Sequence, residues 1–457
     1  MSIQPVLPVW SAAECEEVVR DLKAAGIAMV AGTVCNLAGI YLAKTVAPDR
    51  LSSFAGAGLG ASPTWNVFCI DGGIAFTPDL GVIGDMRLRL DLDALRQLGG
   101  GLAWAPAEIF DQNGRALEID TRGRLRRIQR QLEDSGLQAL VGIELEFTLT
   151  AADGSAFERP GWTPYGLGPI LDHESFIADL TREAAEAGIP LEQVHAEFAA
   201  AQFELALAPA TPLAAADDAV LARLLVCRLA RTHGLRASFS PFPFAGGGGN
   251  GAHVHFSLSR SGSPLFSGGV GPYGITPDGG SAIAGIVAEL PGLEGVLAGS
   301  ILSGARLRPG YWSGAYACWG RENREASVRY LEATPGNPRG ANVEVKIVDP
   351  SANPYLAAAA ILGAALRGIQ SALPLPGEVT ANPADQSAEQ CTTTSTRLLP
   401  VELGAVLDEL EASTAATQIL GPDIVQAAIA VRRHELSNYG AVTADELAEK
   451  FRFAWSI

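Results

Sequence analysis

The chain predicts an α+β fold in two parts: a small sheet-rich domain over residues 1–100 and a larger domain mixing helices and strands over 101–457. Three observations predict it. The length of 457 residues suits one large domain or two. The first hundred residues run as short apolar segments broken by Gly and Pro, ending at Gly99-Gly100-Gly101, a natural boundary. The remainder alternates helical and extended patterns.

In the first part, Ser11 and Glu14 form a capping-box pattern and Gly26 closes the helix they open. Residues 27–34 then read as a buried strand, and 65–70 as a further apolar segment. In the second part, 122–134 is an amphipathic helix and 139–149 a strand. Residues 173–187 and 213–232 read as helices. Residues 236–242 and 252–258 read as strands joined by a glycine-rich loop. A helix over 281–299 and a strand over 343–348 follow. Beyond Asp349 and Pro350 the chain turns helical to its end, apart from a Ser/Thr-rich linker near 385–397.

Composition excludes several function classes. Hydrophobic residues make up 48% and charged residues 18%, the balance of a globular chain with material for a core. The net charge of -17 lacks the positive footprint that nucleic acid requires. It does not exclude an anionic small substrate where arginines and metals gather. No apolar run approaches the roughly 20 residues of a membrane helix, and residues 356–366 read instead as a buried helix. The N-terminus shows no secretory pattern. The six cysteines are scattered without a CxxC pair. They argue against a zinc site and a disulfide framework, and they fit reduced thiols in the cytoplasm.

Five clusters carry chemistry. Glu144 and Glu146 sit at i and i+2 of an apolar strand, side by side on one face. Two such carboxylates are costly unless a cation lies between them or the face is exposed. Glu197 and Glu204 lie seven residues apart in a segment otherwise rich in Ala and Phe. On a straight strand they would face opposite ways, so they converge only on a helix or around a turn, and the sequence leaves that choice open. His253 and His255 again share a strand face beside the glycine run Gly246–Gly249, either as ligands or as a core pair. Five arginines (306, 308, 321, 324 and 329) fall within 24 residues. Arg324 and Arg329 are candidates to neutralise a phosphoryl group, or else pair with Glu322 and Glu325. Finally, Glu344 and Lys346 sit on one more apolar strand. Together these supply hard ligands for Mg2+ or Mn2+ and arginines for phosphate, an inventory suited to phosphoryl transfer.

In this order the clusters resemble the glutamine synthetase family. Residues 142–147 are similar to its G-x-E-x-E-F strand, and Glu197 to Glu204 to its E-x-x-P-G-Q-x-E segment. Residues 249–255 are similar to its glycine-rich loop and H-x-H, and Arg306 to Tyr311 to its R-L-x-P-G-Y. Trp319 to Arg324 resembles its W-G-x-x-N-R, and Asp349 to Leu356 its D-P-S-x-N-P-Y-L.

The resemblance implies a small N-terminal β-grasp domain, and a catalytic domain on a curved antiparallel sheet. It implies active sites between subunits of a ring, usually a dodecamer of two hexamers. It implies ATP as co-substrate and two or more divalent cations per site. Glu146, Glu197 and Glu204 match ligands of one cation; Glu144, His253 and Glu344 match those of the other. Arg306 matches the grip on glutamate's carboxylate, and Arg324 and Arg329 the arginines that hold phosphate. His255, Gly251, Ser257, Trp312 and Lys346 fall where nucleotide and substrate are contacted. The implied reaction phosphorylates glutamate's γ-carboxylate and then displaces phosphate with an amine.

Departures from the family bear on that amine. The residue after P-G-Y is a glutamate in ammonia-using members and Trp312 here, and the family's D-G-S-S segment is not recognisable near residues 56–65. Loss of both carboxylates weakens a site for bare ammonium and favours a larger amine, as in the γ-glutamylamide and γ-glutamylpolyamine synthetases. The competing readings are an ammonia-using glutamine synthetase and a catalytically silent ligand-binding ring. Ala200 and Ala201 replace Pro-Gly, Lys346 and Asn342 stand where arginines are common, and Phe242 replaces a lysine.

Overall fold

A computed structural model describes residues 7–8, 10–157 and 162–457. The opening helix spans Ala12–Ala24, with Ser11 accepting from the Glu14 N–H and the Glu14 carboxylate accepting from Ser11. Gly26 follows at φ 72°, the left-handed turn that lets the chain reverse into strand Met29–Cys35. That strand lies in a six-stranded sheet ordered Tyr41–Val46, Met29–Cys35, Leu102–Phe110, Met86–Leu90 and Leu59–Ala61, with Arg96–Gln97 also paired to Leu102–Phe110. Met29–Cys35 and Leu102–Phe110 run parallel. Residues 65–70 do not form a strand: Pro63–Val67 is a 3-10 turn, preset by Pro63 and capped by Ser62.

The expected division at residue 100 falls inside this sheet. Gly99, Gly100 and Gly101 all have positive φ and make the tight turn between Arg96–Gln97 and Leu102–Phe110. A glycine triplet serves an internal turn as readily as a linker, and the pairing partner decides which.

The second sheet has ten strands. Its path runs Arg397–Leu398, Tyr316–Arg321, Ala326–Leu331, Asn342–Val345, Val254–Arg260, Leu137–Ala151, Gln202–Leu207, Leu191–Ala196. It is the expected antiparallel sheet, except that Tyr316–Arg321 and Ala326–Leu331 pair parallel. The 15-residue strand Leu137–Ala151 is its spine. On one side residues 137–143 pair with Val254–Arg260, while 148–151 pair with Leu235–Ser238. The two strands flanking the glycine-rich loop are therefore not partners of each other; both lie against the same spine.

Helices Pro277–Leu297 and Pro354–Gln370 belong to the buried core of this second part. Gly285 and Gly368 let them touch backbone to backbone, since a Cβ at Gly368 would lie 2.1 Å from the Ser281 carbonyl oxygen. Among the described residues Pro277–Leu297 is the one helix long and apolar enough to cross a membrane, and 83% of its apolar window is buried inside the protein. The Ser/Thr-rich stretch near 385–397 is not a bare linker. It holds helix Ala388–Thr394, started by a capping box of Ser387 and Gln390.

Candidate active site

The spine strand brings Glu144 and Glu146 to one face, as their spacing requires. The Glu144 N–H donates to the His253 carbonyl (3.0 Å) and the Glu146 N–H to the Gly251 carbonyl (3.0 Å), so the segment entering strand Val254–Arg260 is locked against the spine. His255 lies opposite Glu344 in register, and Glu344 opposite Arg329. Backbone pairing thus places Glu144, His253 and Glu344 together, with one ligand atom from each within 4.8 Å of the others.

On the other side of the spine, Glu146 stands opposite Glu204. Glu197 reaches Glu204 because residues 197–201 form a hairpin turn between Leu191–Ala196 and Gln202–Leu207, closed by the Glu197 N–H on the Gln202 carbonyl (2.8 Å), although Glu146, Glu197 and Glu204 do not all come within 4.8 Å of one another. A turn, not a helix, resolves the seven-residue spacing. Ala201 there has φ 58°, the left-handed region, at the position where the family carries glycine. Glu146, Glu204 and His253 form a second convergent group, and His195, Glu197 and Glu204 a third.

The electrostatics are those of a cation site. Burial and the neighbouring Glu197 push the Glu146 carboxyl up to about 7. Burial would raise Glu344 too, but Lys346 and the two histidines overcome it and hold it at about 2. Burial, with the nearby Lys346 cation, keeps the His253 imidazole below its usual range, the neutral form that ligates metal. Like charges directly opposite each other destabilise a sheet unless something reconciles them. Five carboxylates and one imidazole, with no sulfur among them, fit Mg2+ or Mn2+.

Most remaining expected residues surround this cluster. Arg306 is buried beneath it, 3.3 Å from His253 Nε2, and donates to the Ile347 and Lys346 carbonyls. Gly251 is required by close approach: a Cβ there would lie 2.5 Å from His253 Nε2 and 2.9 Å from the Arg306 guanidinium. Lys346 Nζ donates to Glu344 Oε1 (3.1 Å). Arg329 donates to Glu344 (3.1 Å) and to Glu322 (2.7 Å). The His255 ring nitrogens face Asn342 Oδ1 (2.9 Å) and the Glu144 carboxylate (3.4 Å). That contact with Glu144, with Glu344 beside it, outweighs burial and lifts His255 to about 9. Ser257 lies apart, further along the same strand face, lining a 620 Å³ cavity with Gln129, Glu133 and Arg339.

Arg324 and Trp312 stand at the rim. Arg324 lies 5.9 Å from the centre of the Trp312 ring. Both line an open cleft of about 480 Å³ with Gly310, Glu325 and Asn382. Trp312 is 52% exposed and has φ 54°, an uncommon backbone for a bulky side chain. The buried Glu325 carboxylate fixes this loop by accepting from the Gly310 and Trp312 N–H groups.

Sequence reasoning named no role for three further side chains. His195 lies 3.1 Å from Glu204 Oε1, and that contact raises it to about 9. Gln202 donates to Glu146 Oε2 (2.8 Å), the Gly249 carbonyl and Asn250. Tyr165 sets its ring 6.1 Å from His195. His195 and Gln202 were visible as polar residues inside an apolar segment; Tyr165 carried no signal.

A sheet that gathers hard donors at its centre and arginines around them has the make-up of a phosphoryl-transfer site. Comparison with known proteins agrees. Residues 118–450 match the glutamine synthetase catalytic domain. The chain is 37% identical over 443 residues to the gamma-glutamylpolyamine synthetase GlnA3 of Streptomyces coelicolor, covering 95% of each. It is 36% identical over 315 residues to the glutamine synthetase of Pyrococcus horikoshii, covering 68% of this chain and 69% of that one. Among solved structures, a novel glutamine synthase homolog superposes with a TM-score of 0.84 at 30% identity, covering 94% and 98% of the two chains. A GmaS/ADP complex gives 0.82 at 26% identity, with the same coverage. The chain belongs to the glutamine synthetase family. It is an ATP-dependent acid–amine ligase, of a family that uses divalent metals.

Proposed function

We propose that this ligase joins the γ-carboxylate of glutamate to an organic amine, giving a γ-glutamylamide. The observation that carries the reading is Trp312 at the rim of the 480 Å³ cleft, where ammonia-using members carry a carboxylate. The nearby Glu325 carboxylate is buried and holds its own loop, accepting from the Gly310 and Trp312 N–H groups. The cleft offers an indole face to a larger amine instead. Similarity over nearly the full chain to a gamma-glutamylpolyamine synthetase supports it.

In this reading Glu144, His253 and Glu344 hold one divalent cation and Glu146, Glu197 and Glu204 the other. Bound Mg2+ or Mn2+ would neutralise the polyphosphate and polarise the γ-phosphoryl oxygens. Ser257 and His255 line the nucleotide side, Arg306 serves glutamate's carboxylate, and Arg324 and Arg329 steady the phosphoryl group. A glutamate γ-carboxylate oxygen attacks the γ-phosphorus of ATP and ADP leaves. The amine nitrogen then attacks the acyl carbon, phosphate leaves, and the nitrogen loses a proton to solvent. We place the chain in a homo-oligomer, a dodecamer by the resemblance, and in the cytoplasm, a setting that the free cysteines suit.

Phosphate release with ATP, Mg2+ and glutamate across a panel of alkyl, aromatic and polyamine substrates, with ammonium included, tests this. Release is expected with one class of organic amine and not with ammonium. Release with ammonium alone would make the protein a glutamine synthetase, and none with any amine would make it a silent binder. Trp312→Glu is expected to gain ammonium use at least about 10-fold, a shift of 1.4 kcal/mol or more. An unchanged amine profile in that variant would remove Trp312 from the account.

A further inference from the structure

Among the described residues, one cluster outside the active site brings three different metal-ligating groups together. Residues 69–73 form a tight turn, with the Cys69 N–H on the Gly73 carbonyl (2.9 Å) and the Gly72 N–H on the Cys69 carbonyl (3.0 Å). The turn carries Cys69 and Asp71. It packs on helix Pro422–Tyr439, where His434 Nε2 lies 2.9 Å from Asp71 Oδ2. Cys69 Sγ, one Asp71 oxygen and one His434 nitrogen all lie within 4.8 Å of one another. Asp71 is already aimed: it accepts from Tyr439 Oη (2.9 Å) and from the Gly73 N–H (2.8 Å). Asn438 stands 3.0 Å from the same histidine nitrogen. The turn leaves no spare room, since a Cβ on Gly73 would lie 2.7 Å from the imidazole.

We propose that Cys69, Asp71 and His434 form a second metal site, selective for a thiophilic divalent cation such as Zn2+ and distinct from the catalytic Mg2+ or Mn2+ cluster. Tetrahedral bonds of about 2.0–2.3 Å put donor atoms roughly 3.3–3.6 Å apart, within small side-chain adjustments of the spacing seen. The donor set separates the two sites chemically. The active-site cluster is oxygen and nitrogen only, whereas a thiolate favours Zn2+ over Mg2+. Burial, with the Glu435 and Asp71 carboxylates nearby, pushes the Cys69 thiol up to about 12, so binding of the cation releases one proton to solvent. Tyr439 then orients a ligand carboxylate from behind, as outer-sphere partners commonly do. The site would tie the first part of the chain to its last helices, joining Asp71 to a residue 363 positions away. It would also anchor the root of the segment that exposes Phe76, Val82 and Ile83.

Cobalt reports this site selectively, because the active-site ligands contain no sulfur. Full-length protein stripped with a chelator and titrated with Co2+ is expected to show a sulfur-to-cobalt charge-transfer band saturating near one equivalent, which Zn2+ abolishes. Cys69→Ser and His434→Gln should reduce the band to background, while Glu344→Gln and Cys391→Ser keep it. Zn2+ should also raise the Tm of the wild-type protein by more than that of His434→Gln, the excess being this site's share because the active-site carboxylates and His253 also bind Zn2+; this readout still stands if Cys69→Ser folds poorly. No sulfur band in the folded wild-type protein, a band that survives Cys69→Ser, or an equal Zn2+ shift of Tm in wild type and His434→Gln would each overturn the site. The cluster would then be only an Asp–His latch between the turn and the helix.

Discussion

The floor of the active site and its rim are built in opposite ways. On the floor, Glu144, Glu146, Glu204 and Glu344 project from paired strands, and His253 is locked beside them by the Glu144 N–H. Each position is fixed by a ladder that extends well beyond the site. At the rim, Gly310, Trp312 and Arg324 lie on loops, and the Trp312 loop is tied down by two hydrogen bonds to Glu325. The difference teaches where chemistry and specificity reside. The cation pair proposed for the floor would tolerate little movement of its ligands, which rigid elements supply. In the proposed reading, choice of amine falls to a surface that can change without disturbing the sheet, the Trp312 turn.

The sharpest way to break this contrast is at the floor. Glu344→Gln removes the charge of a proposed ligand and leaves Lys346 and Arg329 facing a neutral group. Turnover is expected to fall by more than about 100-fold, with a large rise in the Mg2+ concentration needed, since even outer-sphere changes cost 10–100-fold in metal affinity. A Mg2+ titration of phosphate release checks it. The Trp312→Glu exchange should instead move amine preference while leaving the Mg2+ requirement in place. A changed Mg2+ requirement in that variant would show that floor and rim are not separable.

A smaller effect is expected one layer out. Gln202→Ala deletes the donor that fixes Glu146 Oε2, and a loss of about 10-fold in Mg2+ affinity follows, with the amine profile unchanged. The smallest change concerns stability. Ala201 occupies a left-handed turn, and Ala201→Gly relieves that strain, for a gain of about 1 kcal/mol in unfolding free energy. Denaturant melts check it, with turnover staying near wild type. A loss of stability there would mean that the methyl group contributes packing that outweighs the strain.

The site was legible where its geometry is local. Glu144 with Glu146, and His253 with His255, needed only the two-residue period of a strand. It was not legible where the chain folds back on itself. The hairpin that joins Glu197 to Glu204 depends on a turn at Ala201, a residue type that does not announce one. The glycine triplet at 99–101 does announce a turn, but not that the next strand returns to the same sheet. Ser387 with Gln390 is a capping box inside a stretch whose composition otherwise reads as linker.

The sequence by itself determined the donor types, their spacing along each strand, and the tryptophan at 312 on which the proposed organic amine rests. Tertiary structure alone decided which strands become neighbours, and therefore that the separate clusters share one floor. It also brought Cys69 beside His434, where cysteine spacing had argued against a zinc site. The reason is physical. Periodicity fixes which face a side chain occupies on its own element, whereas long-range contacts are set by how buried faces pack across the whole chain, which no local window contains.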